Sequence, residues 1–230
     1  MNIVYLHGLS SSGQSATAKR LRGLLADDCV ISPDIPVNPV EALQMLIELA
    51  GRYSVHETIV VGTSMGGLYA YQMKGYRRIL VNPAFHVSAL LEENIGRNLP
   101  FFSERCNGAR EFHVDRELCH EFRQMEENLW HDHFGSTENV IALFGKHDDV
   151  CNCLLEYRVK PGFWCEFDGG HRLDESVTKH VLLPIIEWAK EHERFALAPG
   201  AALVEPVGSE PIEIGGLVVR KNQAGTAIHP

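Results

Sequence analysis

Residues 58–74 read Thr58-Ile59-Val60-Val61-Gly62-Thr63-Ser64-Met65-Gly66-Gly67-Leu68-Tyr69-Ala70-Tyr71-Gln72-Met73-Lys74. A β-branched run passes through a glycine-rich turn into a helix-forming run, so the G-x-S-x-G segment from Gly62 to Gly66 lies between a strand and a helix. A serine there occupies a sharp turn. Side chains at Gly62 or Gly66 are expected to collide with the neighbouring strand and helix. The positive end of the following helix, with the Met65 amide, then faces negative charge developing beside the Ser64 hydroxyl. A Gly-Ser-Gly run also makes ordinary tight turns, so a chemical reading of Ser64 depends on partners elsewhere in the chain.

Working outward, short β-rich runs alternate with longer amphipathic ones, the pattern of a parallel sheet covered by helices. Strands are expected at Asn2–Leu6, Cys29–Ser32, Thr58–Val61, Arg78–Val81, Val140–Phe144 and Phe163–Phe167, giving a mainly parallel six-stranded α/β fold with helices on both faces. Helices are expected over Ala16–Ala26, over Pro39–Arg52 with Leu43, Leu46, Ile47 and Ala50 on its inner stripe, and over Glu175–His192 with a kink at Pro184. Residues 86–133 interrupt the alternation with no convincing strand. They carry a helical run, Asp115–Trp130, in which Leu118, Phe122, Met125 and Leu129 share a face, and read as a small helical cap. Residues 1–194 are expected to form one domain. Residues 195–230 form a Gly/Pro-rich appendage, either hairpin-like or loosely ordered, with β-like pieces at Ile212-Glu213-Ile214 and Leu217-Val218-Val219.

A serine hydroxyl needs an imidazole to take its proton and a carboxylate to orient that imidazole. Two later loops supply them. After Val140–Phe144 comes Gly145-Lys146-His147-Asp148-Asp149, and after Phe163–Phe167 comes Asp168-Gly169-Gly170-His171. Both follow a strand's carboxyl end, where open α/β sheets bind ligands. The G-x-x-D spacing favours Asp148 over Asp149, and placement after two glycines favours His171 over His147 and His7. Near the start, Leu6-His7-Gly8-Leu9-Ser10 follows the first strand, so the Leu9 amide is the natural second oxyanion donor beside Met65. His7 is expected to pin this loop. The loop lacks the G-K-[ST] of a phosphate cradle, and no dinucleotide fingerprint is present.

The chain has 230 residues, 45% hydrophobic and 22% charged, which fits one globular core, and its formal net charge of −9 argues against nucleic acid as a partner. No apolar stretch is long enough for a bilayer, and Met1 leads directly into the first strand without a basic leader, so a soluble cytoplasmic protein is expected. The six cysteines read as reduced thiols.

These features resemble the α/β-hydrolase superfamily over Met1 to about Glu193. More narrowly, Ile3–Ser11, Val61–Ala70 and Leu80-Val81-Asn82-Pro83-Ala84 resemble the small YqiA/UPF0227-type esterases, which lack the first two strands of larger members. The resemblance implies hydrolysis of short acyl esters by Ser64, His171 and Asp148, with no metal or organic cofactor and a small-molecule ester as partner. A thioesterase on the same fold, or a non-catalytic binding protein, is the alternative. Ser10, Phe101 and Phe102 are assigned to substrate contact, with Leu99 and Trp130 as further apolar pocket residues. A metal reading of His131-Asp132-His133 with Cys119 and His120 lacks a zinc-type ligand spacing.

Overall fold

The apolar runs become strands in a computed structural model that describes residues 1–131, 139–159, 162–195 and 211–222. In chain order the elements are β1 (Asn2–Leu6), α1 (Ala16–Leu24), β2 (Cys29–Ile31), α2 (Pro39–Ala50), β3 (Thr58–Thr63), α3 (Met65–Gln72), β4 (Arg77–Val81), α4 (Val87–Glu92), β5 (Asn98–Pro100) and β6 (Glu111–His113). Then follow α5 (Arg116–His131), β7 (Val140–Gly145), α6 (Leu154–Tyr157), β8 (Phe163–Phe167), α7 (Glu175–Val177), α8 (Leu183–Glu191), β9 (Ile212–Ile214) and β10 (Leu217–Lys221). Among the described residues no helix is long and apolar enough to cross a membrane.

The main sheet runs β2-β1-β3-β4-β7-β8-β10-β9. The first six of these strands are parallel, and the terminal hairpin joins antiparallel through Arg220 opposite Trp164. Successive side chains of a strand point to opposite faces, so the sheet divides the core in two. Val4, Leu6, Val60, Leu80 and Ala142 pack under α2, α3 and α5, while Ile3, Tyr5, Ile59, Val61, Ile79 and Ile141 pack under α1 and α8. Strand order reverses at β1, whose carboxyl end lies beside that of β3, and such a reversal opens a crevice between the flanking loops.

Four expectations are corrected. Among the described residues the sheet has eight strands, not six. The tail supplies the extra two because Ile214-Gly215-Gly216-Leu217 closes a tight hairpin, with φ of 56° and 81° at the glycines, and because β8 otherwise presents an unpaired edge. Val219 and Ile214 bury themselves in the core beneath it. Residues 86–133 do contain strands, β5 and β6, which pair antiparallel with Leu99 opposite Phe112. Three-residue strands with one apolar pair leave almost no periodic signal.

The third correction concerns α5, expected as part of a small helical cap: Leu118, Phe122 and Met125 are buried in the main core and Leu129 packs against it, so the helix completes the layer over the sheet. Fourth, the inner stripe of α2 is Pro39, Ala42, Leu46 and Leu49, and Ile47 faces solvent. The Pro184 disturbance takes the form of a widened π-type turn, Thr178–Leu182, just before the proline that cannot donate.

Candidate active site

The turn after β3 holds Ser64 at φ 55° and ψ −122°, a backbone region that costs a non-glycine residue about 1–3 kcal/mol. Main-chain bonds hold it there. The Ser64 amide donates to Val81 O (3.0 Å), and its carbonyl accepts from Gly67 (2.8 Å) and Ala84 (3.1 Å). The flanking glycines are required by space, since a Cβ on Gly62 would stand 2.1 Å from Gly66 O, and one on Gly66 would stand 2.0 Å from Leu6 O. That second contact also draws the end of β1 against the turn, bringing the following Gly8 alongside the Ser64 side chain.

Three loops converge on Ser64. His171 Nε2 lies 3.1 Å from Ser64 Oγ, and His171 Nδ1 lies 2.9 Å from Asp148 Oδ2. The Asp148 side chain is 2% exposed and that of His171 15%. The other carboxylate oxygen, Oδ1, accepts the amides of Val150 (2.9 Å) and Cys151 (3.0 Å). Asp148 therefore cannot swing away without losing two charge-assisted bonds. Asp149 is exposed. His147, the rival imidazole, lies on the surface and pairs with Asp168 at 3.0 Å.

Gly8, in the loop after β1, adjoins the Ser64 side chain, and Met65 opens α3, whose first-turn amides have no intrahelical acceptor. His7 fixes this loop as a neutral imidazole: Nδ1–H donates to Gly8 O (2.8 Å) and Nε2 accepts from the Ile35 amide (3.0 Å). Burial holds its pKa down at about 4 from 6.5. Unfolded chains take up this proton near 6.5 and the folded protein near 4. The contribution is therefore whole above pH 6.5 and lost as pH falls toward 4, amounting to about 3 kcal/mol. In His7→Asn the unfolding free energy measured at pH 7 and at pH 4 should differ by that much less than in wild type. An unchanged difference would show that His7 is not buried neutral.

The substrate-contact assignments scatter. Ser10 is buried at φ 60°, and its carbonyl accepts the Phe102 amide (2.7 Å). The Phe102 side chain is 72% exposed, with the Arg172 guanidinium 5.5 Å from its ring, next in sequence to His171. Phe101 turns away into a separate cleft of about 410 Å³, shared with Phe112, Arg105 and Asp34, which Ser64 and His171 do not line. Leu99 packs on the core. The side chains of Trp130 and His131, together with Asp132 and His133, lie outside what the structure describes. Cys119 is buried in the core while its neighbour His120 faces solvent, so the two do not share a face.

Two site residues escaped the sequence reading. Asn82, buried at φ 45°, donates to Gly170 O (2.9 Å) and His171 O (3.1 Å) and accepts from the Gly145 amide (2.7 Å). One amide thus ties the acid-bearing loop to the histidine-bearing loop. A polar residue directly after an apolar strand was the available signal. Cys151 is the other: its thiol donates to Asn82 O (3.5 Å) and lies 3.5 Å from His171 Nδ1, and burial, aided by the Asp148 charge, pushes it up. All six cysteines are free.

The fold is α/β-hydrolase-like, and solved structures of lipases and esterases superpose on it. A monoacylglycerol lipase of Paleococcus ferrophilus is 18% identical, with a TM-score of 0.58 over 83% of this chain and 94% of its own. Est1E of Butyrivibrio proteoclasticus is 14% identical, with a TM-score of 0.55 over 83% and 85%. FphF of Staphylococcus aureus, a fluorophosphonate-binding serine hydrolase, is 16% identical, with a TM-score of 0.54 over 82% and 83%. The chain belongs to UPF0227, an uncharacterised protein family, which it matches over residues 2–154.

Proposed function

We propose that the protein is a cytoplasmic serine esterase acting on short-chain carboxylic esters. Ser64 attacks the ester carbonyl while His171 Nε2 takes its proton. His171 then hands that proton to the departing alcohol, leaving an acyl-enzyme. Water, deprotonated by the same nitrogen, attacks the acyl carbon and releases the carboxylic acid and Ser64. Asp148 keeps His171 in the tautomer whose Nε2 accepts, and steadies the imidazolium that forms in each half-reaction. The amides of Leu9 and Met65 receive the tetrahedral oxyanion, a contribution of about a hundredfold or more per donor.

One observation carries this reading: the continuous line from Asp148 Oδ2 through both nitrogens of His171 to Ser64 Oγ, at 2.9 and 3.1 Å. The strained turn supports it, because a backbone cost of this kind is retained where the side chain must be presented. Phe102, with the Arg172 guanidinium 5.5 Å from its ring and Arg172 next in sequence to His171, is taken to border the acyl group, which favours a small one. With p-nitrophenyl esters, kcat/KM should be highest for acetyl or butyryl and fall by about tenfold or more at decanoyl. Matched acyl-CoA thioesters should turn over more slowly. Preference for the thioester or for the long chain would replace this substrate assignment.

A further inference from the structure

We propose that Asp148, Cys151 and His171 also form a binding site for a thiophilic divalent cation, zinc foremost, and that its occupancy switches the enzyme off. The binding rests on geometry alone; the switching rests on the esterase reading above.

The carboxylate, the thiol and the imidazole place their ligand atoms within 4.8 Å of one another. Zinc binds sulfur at about 2.3 Å and imidazole nitrogen at about 2.0 Å. Across the 3.5 Å between Cys151 Sγ and His171 Nδ1, those bonds meet at roughly the tetrahedral angle. The 2.9 Å between Nδ1 and Asp148 Oδ2 is shorter than a tetrahedral edge and widens by a few tenths of an ångström. The residual exposure of the His171 side chain and the half-burial of Cys151 leave a fourth position open to water. Thiolate with imidazole selects zinc or cadmium over magnesium or calcium.

Occupancy acts through the histidine tautomer. Without metal, Nδ1–H donates to Asp148 and Nε2 accepts from Ser64. The cation takes the Nδ1 lone pair, the ring proton moves to Nε2, and the thiol releases its proton to solvent, one proton per ion bound. Nε2–H then donates to Ser64 Oγ and has no lone pair left to accept the serine proton. Because one proton leaves, apparent affinity should rise about tenfold per pH unit. A second cluster, His86, Cys153 and Glu156, has a similar donor set, but binding there would leave the His171 tautomer untouched.

The test uses the full chain, stripped by chelator and given zinc chloride, with a fluorophosphonate timed as it labels Ser64. Zinc should slow labelling, added chelator should restore it, and magnesium should do nothing. Each variant is compared with its own zinc-free rate. Cys151→Ser should need about a hundredfold more zinc, at least the loss that follows removal of a group merely supporting a ligand. His86→Ala should respond as wild type. In parallel, calorimetric titration of Ser64→Ala should show a zinc-binding event with one proton released that Ser64→Ala/Cys151→Ser lacks. Equal zinc sensitivity in Cys151→Ser, loss of sensitivity in His86→Ala, or no binding by Ser64→Ala overturns the proposal. Failure of wild type to label at all instead removes the esterase reading, and the calorimetry still decides the metal site.

Discussion

Ser64→Ala is expected to lower kcat/KM for a short-chain p-nitrophenyl ester by about 10⁴–10⁶-fold, the largest effect of any single substitution in this chain. Alanine removes the attacking oxygen and little else. The turn at residue 64 is held by main-chain bonds to Val81, Gly67 and Ala84, which alanine keeps, and the residue is only half-buried. The thermal midpoint should therefore stay close to that of wild type, or rise where the hydroxyl had been held against a strained backbone. His171 and the two amides remain, so a residual rate above water is expected. Activity within tenfold of wild type, in a folded Ser64→Ala protein, would move the chemistry to another group.

The second large effect separates two adjacent acids. Asp148→Asn should reduce kcat by about 10⁴-fold, whereas Asp149→Asn, on an exposed side chain, should change it by less than about threefold. The reason lies in which oxygen faces which partner. Oδ1 of Asp148 accepts two amides, so an asparagine must put its carbonyl there and turn its NH₂ toward His171 Nδ1. That nitrogen then has to accept, which leaves the ring proton on Nε2, where it cannot receive the proton of Ser64. Circular dichroism of both variants should match wild type. If Asp149→Asn is the inactive one, the orientation argued for Asp148 is wrong.

Much of this arrangement was legible in the chain because its signals are local. The inner strands β1, β3, β4 and β7 are largely apolar runs, as expected for strands covered on both faces, and G-x-S-x-G between a strand and a helix specifies a backbone turn from five adjacent residues. The loops bearing Asp148 and His171 follow the same logic, each starting where a strand ends. What stayed illegible depends on contacts between distant segments. The hairpin β9–β10 joins the sheet because β8 has an edge to cover, and nothing in residues 212–221 names that partner. Phe101 looked equivalent to Phe102, yet adjacent residues of an extended segment point opposite ways. One lines the separate cleft beside Phe112 and the other lies against the Arg172 guanidinium. Asn82 lies in the Leu80–Ala84 stretch that resembles the family but carries no role that the sequence assigns, and Cys151 carries no motif; their part in the site follows from loops that meet only after folding.

The most direct test of the account is the site of covalent capture. After treatment of the wild-type protein with a fluorophosphonate, intact mass and peptide mapping should find one adduct, on Ser64. That adduct should be absent from Ser64→Ala and formed at least about a hundredfold more slowly in His171→Ala. An adduct on another residue, or equal labelling when His171 is gone, would contradict it.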